Sequence, residues 1–90
     1  MSERRYGERD FLGSERTPFS KGLMARVLTA IGVPEEHSYE LARRSQADLA
    51  QRGETSLELG RLQELAADLI GEPAAARAVR RVRRYRAVPE

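Results

Sequence analysis

The chain has no cysteine, no tryptophan, one histidine and one lysine. Without cysteine there is neither a disulfide nor a thiolate metal site. His37 alone cannot supply the set of nitrogen ligands that zinc takes. No apolar run approaches the roughly 20 residues a membrane helix needs. The opening Met1-Ser2-Glu3-Arg4-Arg5-Tyr6 has no apolar stretch behind it, so no signal peptide is expected and the chain reads as cytoplasmic, with no membrane partner. No catalytic constellation is present either. Glu35, Glu36, Glu40, Asp48, Glu54, Glu58, Glu64 and Asp68 are spread as helix surface, and acid–base work needs carboxylates held in a pocket. His37, beside Glu35 and Glu36, reads as exposed. The chain alone is therefore not expected to be an enzyme.

Ninety residues, 33% charged and 40% apolar, make one small soluble domain. Fifteen arginines stand against the single lysine. A GC-rich genome produces such an excess by itself, although arginine's planar fork also suits phosphate. The clearest segment is Thr17-Pro18-Phe19-Ser20-Lys21-Gly22-Leu23-Met24-Ala25-Arg26-Val27-Leu28-Thr29-Ala30-Ile31-Gly32. Pro18 pushes Thr17 toward an extended conformation. Ser20 is a good N-cap, and Leu23, Met24, Val27, Leu28 and Ile31 recur at helical spacing. Gly32 can take the left-handed cap, followed by Pro34. A first helix is expected over about Ser20–Ile31.

A second helix is expected from Pro34, as its first residue, to Arg52, with Glu35 and Glu36 favoured by the helix dipole and Gly53 as the cap. Its inward face, through Tyr39, Leu41, Ala42, Ser45, Gln46 and Leu49, is small and partly polar. Glu40–Arg44 and Asp48–Arg52 have the favourable four-residue spacing. A third helix spans about Glu58–Ile70, on Leu59, Leu62, Leu65, Ala66, Leu69 and Ile70, and Gly71 closes it. Pro73 opens a fourth over about Ala74–Arg86, with Ala75, Ala78, Val79, Val82 and Tyr85 as its apolar stripe. Tyr39 and Tyr85 read as core or rim residues. Residues 1–9 form a loose lead-in, 10–86 the domain and 87–90 a tail. Within the domain, Asp10-Phe11-Leu12-Gly13-Ser14-Glu15-Arg16-Thr17 reads as a short β-hairpin around Gly13-Ser14, anchored on the first helix by Phe11 and Phe19. The expected class is mainly α (α+β): an N-terminal hairpin and four helices.

Pro18-Phe19-Ser20-Lys21-Gly22-Leu23, Ala25-Arg26, Leu28-Thr29-Ala30 and Gly32-Val33 resemble the ATP-cone family of nucleotide-binding domains, as do Tyr39-Glu40-Leu41-Ala42-Arg43, Leu62-Gln63-Glu64-Leu65 and the basic last helix. The likeness is greatest to the ATP-cone-like region at the front of 2-phosphoglycerate kinases, and it covers about residues 10–86. It implies a hairpin-plus-four-helix module that binds ATP near the hairpin and the first helix and regulates an attached enzyme or an oligomer. Two positions depart from that pattern. The basic run of the family's first strand aligns with Phe11-Leu12-Gly13-Ser14, and its helix-1 lysine falls at Leu23. No Gly-x-x-x-x-Gly-Lys-Ser/Thr is present, so this chain is not expected to perform the kinase reaction itself.

Two groups of residues are candidate sites. Lys21 lies in the first helical turn, where orphan amides attract anions, and Arg16 and Arg9 can reach the same corner. Together they are candidates for the triphosphate of a purine nucleotide such as ATP, its magnesium carried by the nucleotide. In the last helix Arg77, Arg80, Arg81, Arg83, Arg84 and Arg86 face only Glu72 and Glu90 within residues 72–90, a net +4, which leaves −2 on residues 1–71. Arg80, Arg81, Arg83 and Arg84 are candidates for docking a kinase domain, a second copy or nucleic acid. The same arginines can instead pair with Glu58, Glu64 and Asp68 or remain a solvated face.

Overall fold

Ser20 sets the start of the first helix. In the computed structural model, which describes residues 11–14 and 17–87, the Ser20 Oγ accepts the Leu23 N–H at 3.2 Å and opens α1 (Lys21–Ala30). The other end closes with two crossed hydrogen bonds. Gly32 N–H donates to the Thr29 carbonyl at 3.1 Å, and Val33 N–H to the Leu28 carbonyl at 2.9 Å. This six-to-one, five-to-two pattern needs a left-handed residue between, and Gly32 supplies it with φ +110°. Met24, Val27 and Leu28 are buried on the inner face, while Leu23 and Ile31 lie half-buried at its edges.

α2 (Glu35–Arg52) follows Pro34, which caps the helix (ψ 144°) instead of forming its first turn. Its inner face carries Ser38, Leu41, Ala42, Ser45, Asp48 and Leu49. The two buried hydroxyls are satisfied locally: Ser38 Oγ donates to the Val33 carbonyl at 3.2 Å and Ser45 Oγ to that of Leu41 at 2.8 Å. After the loop around Gly53 come α3 (Leu59–Ile70) and α4 (Glu72–Ala87), with Gly71 alone between them. α1 packs on α2, α3 packs on α4, and α2 meets α3. One core joins the two pairs, running from Met24 and Leu28 through Leu41 and Leu62 to Val79 and Val82.

The expected hairpin is not there, and the class is all-α: among the described residues there is no strand. Asp10, Glu15 and Arg16 of that segment lie outside the described residues. The reason lies in Phe11 and Leu12, each only 1% exposed. Neighbours in a strand point to opposite faces, so a two-stranded ribbon lying on a helix could bury only one of them. A turn buries both. The backbone partners come from elsewhere in the chain. Leu57 N–H donates to the Leu12 carbonyl at 2.8 Å, and Phe19 N–H to the Thr55 carbonyl at 3.1 Å. Ser14 and Thr17 close the turn between them, through Ser14 N–H to the Thr17 carbonyl at 2.7 Å and Thr17 N–H to Ser14 Oγ at 3.1 Å. Gly13 sits where the two stretches meet. Its φ is +94°, and a Cβ there would stand 2.5 Å from the Thr55 carbonyl oxygen and 2.9 Å from the Phe19 nitrogen.

Across the α2–α3 seam, Arg61 grips Asp48 with both arms of its fork, Nε at 3.1 Å and Nη2 at 2.6 Å, while Nη1 holds Glu64 at 2.8 Å. Asp48 is 9% exposed. Its hydrogen bonds from Arg61 hold the carboxyl below the usual aspartate value. Arg52, the partner read from spacing, stands farther off at 3.8 Å. On the outer face Arg43 and Arg44 both hold Glu40, and they pull its carboxyl down to about 2.

Gly13→Ala should cost about 2 kcal/mol or more, because it adds left-handed strain to a backbone clash. Gly60→Ala, in a helical turn with open space around it, should be neutral or stabilising by up to about 1 kcal/mol. Urea unfolding of both variants measures this. Asp48 has a lowered folded pKa, so its contribution is complete above the unfolded value near 3.8 and is lost as the pH falls through the folded one. The urea midpoint should hold from neutral pH to about pH 5 and then fall toward pH 2. Asp48→Asn should lower the midpoint at neutral pH, and its deficit against the native chain should shrink as the pH falls below about 3.8.

Candidate functional site

The first turn of α1 and the second turn of α2 form one corner. Ser20 takes up the Leu23 amide, which leaves the Lys21 and Gly22 amides without an intrahelical partner, as at any helix start. The Lys21 side chain reaches toward α2. Its Nζ lies 5.8 Å from the centre of the Tyr39 ring, within reach of a cation–π attraction. Tyr39 itself is 58% exposed, the one exposed large hydrophobic side chain among the described residues.

Beyond Tyr39 a groove of about 350 Å³ runs between the two helices. Ala25, Arg26, Thr29 and Ala30 line it from α1, and Glu35 and Tyr39 from α2. The groove is polar at both ends. Lys21 stands beside Tyr39 at one end, and the Glu35 carboxylate, one helical turn before Tyr39, stands at the other. Small alanines leave the space between them shallow and apolar. The Thr29 hydroxyl is already committed to the Ala25 carbonyl at 2.9 Å. Arg26, Glu35 and the Tyr39 hydroxyl are then the polar groups that can meet a ligand. Of the three residues expected to hold phosphate, the structure places Lys21 at this corner; Arg9 and Arg16 lie outside the described residues. Tyr39, Arg26 and Glu35 are additions that the sequence reading did not make.

A second hollow of about 620 Å³ lies over α2 and reaches Leu65 of α3. Its charges are spent on each other: Arg43 and Arg44 on Glu40, Asp48 on Arg61. It offers a ligand little beyond surface. Among the described residues no group of three or more His, Asp or Glu side chains is placed to hold a metal ion. Nor is any helix there long and apolar enough to cross a membrane.

The arginines of α4 divide into two kinds. Arg81 Nη1 donates to the Ile31 carbonyl at 3.2 Å, a contact across 50 residues that closes the C-terminal end of α1. A cation suits that position, since helix carbonyls gather partial negative charge there. Arg77, Arg80, Arg83, Arg84 and Arg86 are exposed and form no ion pair with a described residue. Of the three acids named as possible partners, Glu64 is held by Arg61, and neither Glu58 nor Asp68 forms an ion pair with these arginines.

Arg81→Ala should therefore destabilise the fold by about 1 kcal/mol. Arg80→Ala and Arg84→Ala should stay within about 0.5 kcal/mol of the native chain. Thermal or urea unfolding of the three variants separates the two kinds.

No protein-family model, curated protein or solved structure matches the chain.

Proposed function

We propose that this chain is a nucleotide-binding regulatory module of the ATP-cone kind, acting in the cytoplasm on an attached or neighbouring phosphotransferase and carrying no catalysis of its own. The observation that carries the reading is Tyr39. A large exposed ring is costly to leave in water, and this one sits at the mouth of a groove with a lysine ammonium over its face.

A purine nucleotide fits the arrangement of charge. The base lies flat in the alanine-floored groove against the Tyr39 ring, as bases do on aromatic side chains elsewhere. Its exocyclic amine meets the Glu35 carboxylate. The phosphates extend toward Lys21 and the α1 N-terminus, where orphan amides and the helix dipole favour negative charge. Magnesium arrives on the nucleotide and needs no protein ligand. Binding would tie α1 to α2, and a kinase domain or a second copy resting on either helix would sense it.

Calorimetric titration with ATP and magnesium tests the reading. Saturable binding is expected. Tyr39→Ala should weaken it about tenfold or more, the range for loss of one stacked base. Lys21→Gln should weaken ATP more than adenosine. No saturable heat at millimolar ATP, or an affinity indifferent to both substitutions, would count against the proposal.

A further inference from the structure

The exposed arginines of α4 pair with no acid among the described residues. Residues 72–90 carry +4 and residues 1–71 carry −2. Arg77, Arg80 and Arg84 follow one another at three and four residues, so they form a single ridge opposite the buried Ala75, Ala78, Val79 and Val82. Neighbouring members are roughly 5–6 Å apart at their Cβ atoms. Arg83, also exposed, lies about a quarter-turn to one side of the ridge, whereas Arg86, four residues after Val82 and seven after Val79, falls on the side of the buried stripe.

Three features of this face decide what it can hold. First, its cations are guanidiniums, whose fork matches phosphate or carboxylate oxygens in pairs. Second, it has no large apolar side chain: every valine of α4 is buried, and Pro73 and Ala87 are the apolar residues left exposed. Stable protein–protein contacts are built around an apolar centre with a polar rim, and here the centre is missing. Third, it has no aromatic platform. Tyr85 is turned inward, its ring edge-on to Phe11 at 6.3 Å and 72°. Single-stranded nucleic acid is held largely by stacking on such rings, so it is not the natural occupant. Pure charge on a straight ridge suits a rigid, regular array of phosphates.

We infer that the exposed face of α4, through Arg77, Arg80 and Arg84 with Arg83 beside them, docks on the phosphate backbone of double-stranded nucleic acid without reading its sequence. Arg81 is not one of the contacts, because its guanidinium is held by the Ile31 carbonyl. This surface is separate from the α1–α2 groove and stands or falls independently of nucleotide binding.

The test is fluorescence anisotropy of the full chain with a labelled DNA duplex of about 20 base pairs, over a series of salt concentrations. A single strand of equal length and poly-glutamate serve as comparison ligands. Four phosphate contacts give a slope of about −3.6 for log K against log salt, or about a 150-fold loss between 50 and 200 mM. Arg80→Gln and Arg84→Gln should each lower the slope by about 0.9, whereas Arg81→Gln should leave it unchanged. Replacing Arg77, Arg80, Arg83 and Arg84 together by Gln should abolish binding while the circular dichroism stays native. Three results would overturn the inference: no duplex binding at 50 mM salt, a slope that the ridge substitutions do not move, or tighter binding to poly-glutamate or the single strand than to the duplex.

Discussion

Two backbone hydrogen bonds and one glycine hold Leu12, Gly13 and Phe19 against the loop between α2 and α3, and both the core and the α1 start depend on that seam. Leu57 N–H to the Leu12 carbonyl and Phe19 N–H to the Thr55 carbonyl are the bonds; Gly13 is the residue whose lack of a side chain lets the two backbones approach. The seam brings Phe11, Leu12 and Leu57 into the core. Burying a side chain the size of Phe11 or Leu12 contributes about 1.5–3 kcal/mol, a large share of the stability of a domain this small. The same seam delivers the chain to Ser20 in the extended conformation an N-cap requires. The position of Lys21 over Tyr39 thus rests on a contact about 35 residues away in sequence.

The charged residues sort into those that hold the fold and those left over. Asp48 with Arg61 and Glu40 with its two arginines tie elements or helix turns to themselves. Arg81 closes α1. Among the charges that form no ion pair are Lys21, Arg26 and Glu35 around one groove and the arginines along the outer ridge of α4. A fold that uses its ion pairs this locally leaves two surfaces of different character. One is concave, aromatic and mixed in charge. The other is convex and uniformly cationic.

The helices were legible because each carried its own punctuation. Ser20, Gly32, Gly53 and Gly71 mark ends that depend on local chemistry, and the helical recurrence of leucine and valine marks the faces. What was hidden depends on contacts distant in sequence. Phe11-Leu12-Gly13-Ser14 carries a hairpin's turn signal, and only the burial of two consecutive apolar residues reveals a loop pairing with residues 55–57. Asp48 has Arg52 at ideal helical spacing, yet Arg61, thirteen residues on, wins it with a two-armed grip. Tyr39 reads as part of the α2 stripe by its size, but the inner face runs through Ser38, whose hydroxyl is satisfied by the Val33 carbonyl. The tyrosine is turned outward as a result, and the most informative residue of the groove looks like packing in the sequence. Arg81 is one of six similar arginines until the end of α1 is placed beside it.

The most direct measurement on the central claim, a nucleotide site in the α1–α2 groove, is the backbone amide spectrum of the full chain titrated with ATP and magnesium. Saturable shifts confined to Lys21–Ala30 and to residues 35–39 are expected, with α4 silent at physiological salt. Shifts confined to residues 77–86, matched by inorganic triphosphate and erased by salt, would contradict it. The nucleotide would then be only another polyanion on the arginine ridge.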